Sequence, residues 1–347
     1  MSSLVLVVPG DLETPTGGYG YDRRMIAGLR DRGWSVSVKP IDASFPHPTL
    51  EARAQAGRAL AQIPGGTTVL VDGLALGALP DEIEREASRL RFVALIHHPL
   101  ARETGLNPDV AARLEASERR ALESVRLVVV TSRQTAATVV GYGIDAGRVA
   151  VVEPGTDGSP LARGSAGGIV QLLCVATLIP RKGHAILLDA LGTIPDLPWR
   201  LTCVGSATRH PETAGRLCGR LRAPGWTGRV ELAGEVDAAT LARHYDRADV
   251  FVLPTLHEGY GMAVAEALAH GLPVISTSSG AVPDLVGDRA GLIVPPGDMQ
   301  ALAAALARVV GDRRFRAQLK QGAEAVRSSL PTWNAAVANM AAALRRA

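Results

Sequence analysis

Short Val- and Leu-rich runs alternate with helix-patterned stretches from one end of this chain to the other. Residues 4–8, 35–38, 68–71, 92–96, 127–130 and 149–152 predict short buried strands. Helical patterns over 20–32, 50–62, 80–90, 109–124 and 133–141 separate them. Repeated strand–helix units with apolar strands imply a parallel sheet covered on both faces. The rhythm halts at Glu153-Pro154-Gly155-Thr156-Asp157-Gly158-Ser159-Pro160 and stays polar through Gly168, which reads as a linker. A second series then predicts strands near 170–176, 200–204, 229–232, 249–253, 273–276 and 291–294. Its helices fall near 183–192, 211–222, 238–246, 261–270 and 298–310, with further helical segments after 312. Pro331 sits well at the start of a last Ala-rich helix, 332–346. The expected fold class is α/β, with two doubly wound Rossmann-like domains facing across a cleft. The first is 1–157 and the second 158–330. Ligands of such sheets bind outside the carboxyl ends of the strands.

Composition narrows the function classes. At 347 residues the chain can bury two ordinary cores, and 47% hydrophobic with 20% charged residues marks a soluble globular protein. A formal charge of +3 allows local phosphate pockets but gives no nucleic-acid footprint. Cys174, Cys203 and Cys218 form no CxxC pair and read as reduced thiols. No signal peptide or membrane-spanning run is present, so a cytoplasmic location is expected. The 109–124 helix mixes Arg113, Glu115, Glu118, Arg119, Arg120 and Glu123 and lacks the basic face of a membrane-surface helix. A peripheral contact at the inner membrane face through the first domain stays open.

The most informative segment is Glu258-Gly259-Tyr260-Gly261-Met262-Ala263-Val264-Ala265-Glu266, which follows the strand at 249–253. Its glycines let backbone approach a ligand, and a helix start there offers amide donors to an anion or a sugar oxygen. Glu266 sits among alanines, a poor place for an idle charge. Arg181 and Lys182 follow the first strand of the second series, where two cations suit a diphosphate. His97 and His98 end the strand at 92–96, and one of them can position a ligand hydroxyl. Thr16-Gly17-Gly18-Tyr19-Gly20 after the first strand fails as a dinucleotide fingerprint, because Arg23 stands where a third glycine should. A ligand-approaching turn and a structural turn both remain open there. No His or Cys lies at metal-ligand spacing along the sequence, so no metal is expected.

Taken together, Gly17-Gly18, His97, Arg181-Lys182-Gly183, Glu258-Gly259-Tyr260-Gly261 with Glu266, Gly280-Ala281-Val282-Pro283-Asp284 and the 291–298 segment resemble the retaining glycosyltransferases of the GT-B fold, family 4, over nearly the whole chain. The resemblance implies that Glu266 binds the ribose hydroxyls of a nucleotide-sugar donor, a UDP- or GDP-sugar. It gives Glu258 and the amides of Gly259, Tyr260 and Gly261 the donor sugar, and Lys182 the leaving diphosphate. His97 would face the donor sugar near the acceptor, and Gly17 and Gly18 would let the first domain close over the ligands. The last helix, 331–347, would return to the first domain. The implied chemistry is metal-independent hexosyl transfer by front-face displacement, to an acceptor that is a lipid, a glycan or a small molecule. The family's usual arginine five residues before the lysine is replaced by Thr177, which leaves Arg181 as the substitute; Asp284 stands in place of a glutamate. Two other readings remain: a sugar-nucleotide epimerase or phosphorylase of the same fold, and a non-enzymatic two-domain sugar-binding protein.

Overall fold

The structure, a computed structural model, describes residues 2–347 and divides them into two compact units. The first unit ends at Gly155 and takes up Pro331–Ala347 again; the second is Thr156–Leu330. The division thus falls two residues before the expected 157/158 boundary.

Six strands build the sheet of the first unit: β1 Ser3–Pro9, β2 Ser35–Ile41, β3 Thr68–Asp72, β4 Arg91–Ile96, β5 Leu127–Val130 and β6 Val149–Val151. All neighbours pair in parallel, in the order β2-β1-β3-β4-β5-β6. Strands β3 and β5 are buried at every position, which is why 69–71 and 127–130 read as unbroken apolar runs. The terminal helix Trp333–Arg346 packs on the Gly17–Asp31 helix, and close approach fixes two glycines there. A Cβ on Gly28 would lie 2.4 Å from Val337, and one on Gly155 would lie 2.2 Å from the Trp333 backbone nitrogen.

The second unit repeats the plan with β7 Val170–Val175, β8 Trp199–Val204, β9 Val230–Gly234, β10 Val250–Leu253, β11 Val274–Thr277 and β12 Gly291–Val294. The order is β12-β11-β10-β7-β8-β9, again all parallel. From β7 the chain winds outward through β8 and β9, then crosses back to β10 and winds the other way. The loops after β7 and β10 therefore leave neighbouring strands in opposite directions and open a crevice between them. In the first unit the same reversal lies between β1 and β3.

Three local features differ from the sequence expectation. Residues 156–165 have no regular structure, yet they are fastened to the second unit. Ala162 N–H donates to the His270 carbonyl at 2.8 Å, Gly164 N–H to that of Asp246 at 2.9 Å, and Ser165 N–H to the Asp249 carboxylate at 2.9 Å. Helices Gly73–Leu76 and Val282–Val286 went unpredicted, being too short to show a 3.6-residue period. Arg181 and Lys182 do not open a helix directly: they form a single 3-10 turn, Pro180–Lys182, and the helix His184–Gly192 starts only after Gly183 at φ 73°. Among the described residues, no helix is long and apolar enough to cross a membrane.

Glu118, expected among the surface charges of its helix, is instead fully buried within Pro108–Glu123. Its two carboxylate oxygens accept from the Leu100 N–H at 3.3 and 3.2 Å. Burial pushes its carboxyl up to about 8, against the Leu100 hydrogen bond and with a small addition from the Glu115 charge. Below the ordinary glutamate range both states hold the proton; above it the folded state keeps a proton that the unfolded chain releases. Stability from this group is therefore lost as pH rises through about 8. Urea unfolding at pH 5.5 and 8.5 should show wild type losing more stability over that interval than Glu118→Gln. Equal losses in the two proteins would contradict this assignment.

Candidate active site

The β7/β10 reversal brings together two loops that are far apart in sequence. Lys182 Nζ donates to Glu258 Oε2 at 2.5 Å, and both side chains are more than four-fifths buried. Arg181 completes the junction. Its Nη1 donates to the His257 carbonyl at 2.9 Å, while its own carbonyl accepts from Leu256 N–H at 2.7 Å and from the Thr255 hydroxyl at 3.1 Å. Burial works to raise the Glu258 carboxyl, but the charges of Lys182 and Arg181 outweigh it and hold the group below the ordinary glutamate range. Glu258 is accordingly an anion at neutral pH.

The turn that carries Glu258 is shaped by contacts from the loop after β11. Glu258 N–H donates to Ser279 Oγ at 2.8 Å, and Ala281 N–H donates to the Gly259 carbonyl at 3.2 Å. Gly280, at φ 57°, lies so close that an added Cβ would come 2.0 Å from the Glu258 carbonyl oxygen. Tyr260 is buried against Ala265 and Ala281. Gly261 caps the Met262–Ala269 helix in the left-handed conformation, at φ 98°. Glu266, the fifth residue of that helix, accepts from the Tyr245 hydroxyl at 3.0 Å through Oε2. Burial raises its carboxyl, opposed by the Tyr245 hydrogen bond and assisted by the Asp157 charge. Its remaining lone pairs can accept from a pair of neighbouring hydroxyls.

In the first unit, Gly17 and Gly18 are not a turn before the helix but its first two residues, with Thr16 as the N-cap accepting from Tyr19 N–H at 3.2 Å. Gly18 faces His97: a Cβ there would lie 3.4 Å from the imidazole. His97 Nε2 is 3.0 Å from Asp22 Oδ1, and His98 is 3.8 Å from Glu103. Asp22 and Asp72, both buried, are absent from the residues singled out by sequence. A signal for each exists. Asp22 shares the helix stripe of Met25, Ile26 and Leu29, and Asp72 ends an otherwise apolar strand. Polar residues at such positions are out of place unless partnered.

Sequence spacing gives no metal-ligand set, yet folding gathers donor atoms of Cys174, His184 and Cys203 within 4.8 Å of one another. Cys174 and Cys203 are register partners on β7 and β8, and Cys174 Sγ is 3.6 Å from His184 Nε2. Contact with Cys203 and the charges of His184 and Lys182 lower the Cys174 thiol to about 5 against its burial. All three groups are buried, away from solvent.

The two sheets are those of a GT-B glycosyltransferase. Sucrose-phosphate synthase from Thermosynechococcus elongatus superimposes with a TM-score of 0.84 at 23% identity, covering 99% of this chain and 98% of that one. Anabaena HepE, solved with UDP and glucose, gives 0.79 at 19% identity, covering 99% and 100%. The family model for glycosyl transferases group 1 matches residues 169–312, and that for glycosyltransferase family 4 matches residues 69–159, between them more than half of the chain. The chain belongs to family 4. Among curated relatives, the D-inositol 3-phosphate glycosyltransferase of Geodermatophilus obscurus is 33% identical over 288 residues, covering 74% of this chain and 64% of its own length. The protein of the same name from Jonesia denitrificans is 28% identical over 282 residues, covering 73% and 66%. The chain thus spans just under two thirds of these relatives.

Gly280→Ala tests the shaping of the Glu258 turn. Backbone strain of about 1–3 kcal/mol, with the added clash, should lower the melting temperature of the second unit by several degrees. Gly158→Ala, where an added Cβ meets nothing within 4 Å, should leave it unchanged. Calorimetric traces that coincide for the two variants would contradict the assignment.

Proposed function

We propose that this protein is a metal-independent, retaining glycosyltransferase that moves a hexosyl group from a UDP- or GDP-sugar to an acceptor hydroxyl. The observation that carries it is the Lys182–Glu258 contact at the strand-order reversal, with Glu266 one helix turn beyond the glycine cap. Breaking the bond from the anomeric carbon to the diphosphate puts positive charge on the sugar and negative charge on the leaving oxygens. Lys182 Nζ exchanges its Glu258 partner for the diphosphate and stabilises the second; Glu258, an anion at neutral pH, lies beside the first. Glu266 accepts from the ribose diol, and the amides of Gly259, Tyr260 and Gly261 hold the sugar. Arg181 adds positive charge, although one of its nitrogens already holds the β10 loop through the His257 carbonyl. No side chain of this set is placed to act as a nucleophile, which favours front-face displacement with the leaving phosphate taking the acceptor proton. His97, with Gly18 beside it, faces the donor sugar near the acceptor side, and Gly17 and Gly18 let the first unit's backbone come close to the ligands. An epimerase or phosphorylase would turn over the donor with no acceptor, or cleave with phosphate.

A thermal-shift panel of nucleoside diphosphates and their sugars identifies the donor, since a specific ligand stabilises the folded state by mass action. D-inositol 3-phosphate is the first acceptor to assay, after the relatives that carry its name. With the donor in hand, Lys182→Ala should cut turnover on the order of a hundredfold or more at a temperature where the variant is still folded, although its melting temperature should fall because Glu258 loses its buried partner. Near wild-type turnover in that variant overturns the role given to Lys182. Dialysis against EDTA should leave the wild-type rate unchanged; a loss restored by a divalent cation would refute metal independence.

A further inference from the structure

His97 is held from below by two buried carboxylates. Asp22, on the helix Gly17–Asp31, is 1% exposed, and Asp72, at the end of β3, is 2% exposed. Polar atoms of Asp22, Asp72 and His97 all lie within 4.8 Å of one another. Asp22 Oδ1 is 3.0 Å from His97 Nε2, while Asp22 Oδ2 is buried with no hydrogen-bond partner. Asp72 accepts from Leu74 N–H at 2.8 Å. The imidazole is flanked by Gly18 and by the edge of Tyr21 at 5.2 Å, and the Thr131 hydroxyl holds the backbone beneath it by donating to the His97 carbonyl at 3.5 Å. The side chain keeps 22% of its surface open, and the Asp22 side chain none.

A carboxylate in this setting, with one oxygen unpartnered, is costly unless a positive charge stands beside it. The nearest group able to carry that charge is the imidazole. Of the other charged or titratable groups nearby, Arg23 turns its guanidinium to the Leu12 carbonyl, Arg24 lies over Trp333, Tyr21 is held uncharged by burial and the Asp22 charge, and His98 lies 3.8 Å from Glu103. With Nε2 committed to Asp22, only Nδ1 is left to meet a ligand.

We propose that Asp22, backed by Asp72, is a positioning residue that keeps His97 an imidazolium with Nε2 turned inward, so that Nδ1–H is offered as a charged donor to a substrate oxygen. This rests on the acceptor-side role given to His97 above. Electrostatics agree with the geometry. Burial would lower the imidazole, but the charges of Asp22 and Asp72 override it and hold it above the ordinary histidine value. Burial and the Asp22 charge push the Asp72 carboxyl up to about 7, with His97 opposing.

Asp22→Asn keeps the shape and an acceptor oxygen but removes the charge. The full-length variant should show the His97 ring-proton NMR titration, assigned with His97→Gln and recorded in EDTA, moved down by about one pH unit or more. The high-pH limb of kcat/KM should move down with it, by about tenfold in rate at a fixed pH on that limb. Asp72→Asn should shift the same midpoint in the same direction by less, and it serves as the test if Asp22→Asn does not fold. An unmoved or raised His97 midpoint in the folded variants overturns the proposal. A lowered midpoint in a protein that transfers no sugar from any donor would leave the Asp22–His97 coupling standing and sink the transferase reading instead.

Discussion

The site of the second unit depends on the contact between Lys182 and Glu258. Two groups 76 residues apart in sequence meet at 2.5 Å because β7 and β10 are neighbours at the reversal of strand order. Parallel strands send their connections out at one edge, and only at such a reversal do two of those connections diverge enough to leave a crevice. Without a ligand, a mostly buried ammonium and a mostly buried carboxylate each need the other. Their pairing keeps both charged groups at the crevice, and in the proposed function an incoming diphosphate competes with Glu258 for Lys182.

That contact is supported by backbone as much as by side chains. Gly183, in the left-handed conformation, approaches Pro254 so closely that a Cβ would lie 2.0 Å from its carbonyl oxygen. Gly280 crosses under Glu258 at a similar distance, and Arg181 ties its own turn to the β10 loop through both its guanidinium and its carbonyl. Side chains at Gly183 or Gly280 would push the loops apart. The glycines therefore set where the charges sit.

Much of this was legible in the sequence. Strand-like runs such as 68–71 and 127–130 were visible because both faces of a parallel strand are apolar. The Glu258–Glu266 segment stood out because a glutamate among alanines is out of place. Other features depend on tertiary neighbours that no local pattern carries. The buried state of Glu118 comes from the Leu100 amide, and the partnership of Asp22 with His97 joins a helix to a strand end 75 residues away. The Cys174–His184–Cys203 grouping likewise needs the β7–β8 register, which spacing along the chain does not reveal. Arg181 reads in the sequence as one of two cations suited to a diphosphate, and the structure shows its guanidinium holding the loop that presents Glu258.

In the proposed function the Lys182–Glu258 pair is a diphosphate site at rest. A crystal structure with the nucleoside diphosphate of the true donor tests it most directly. The β-phosphate should lie within hydrogen-bond distance of Lys182 Nζ, the ribose diol on Glu266, and Lys182 should be drawn away from Glu258. A nucleotide bound elsewhere, with Lys182 still closed on Glu258, would contradict it.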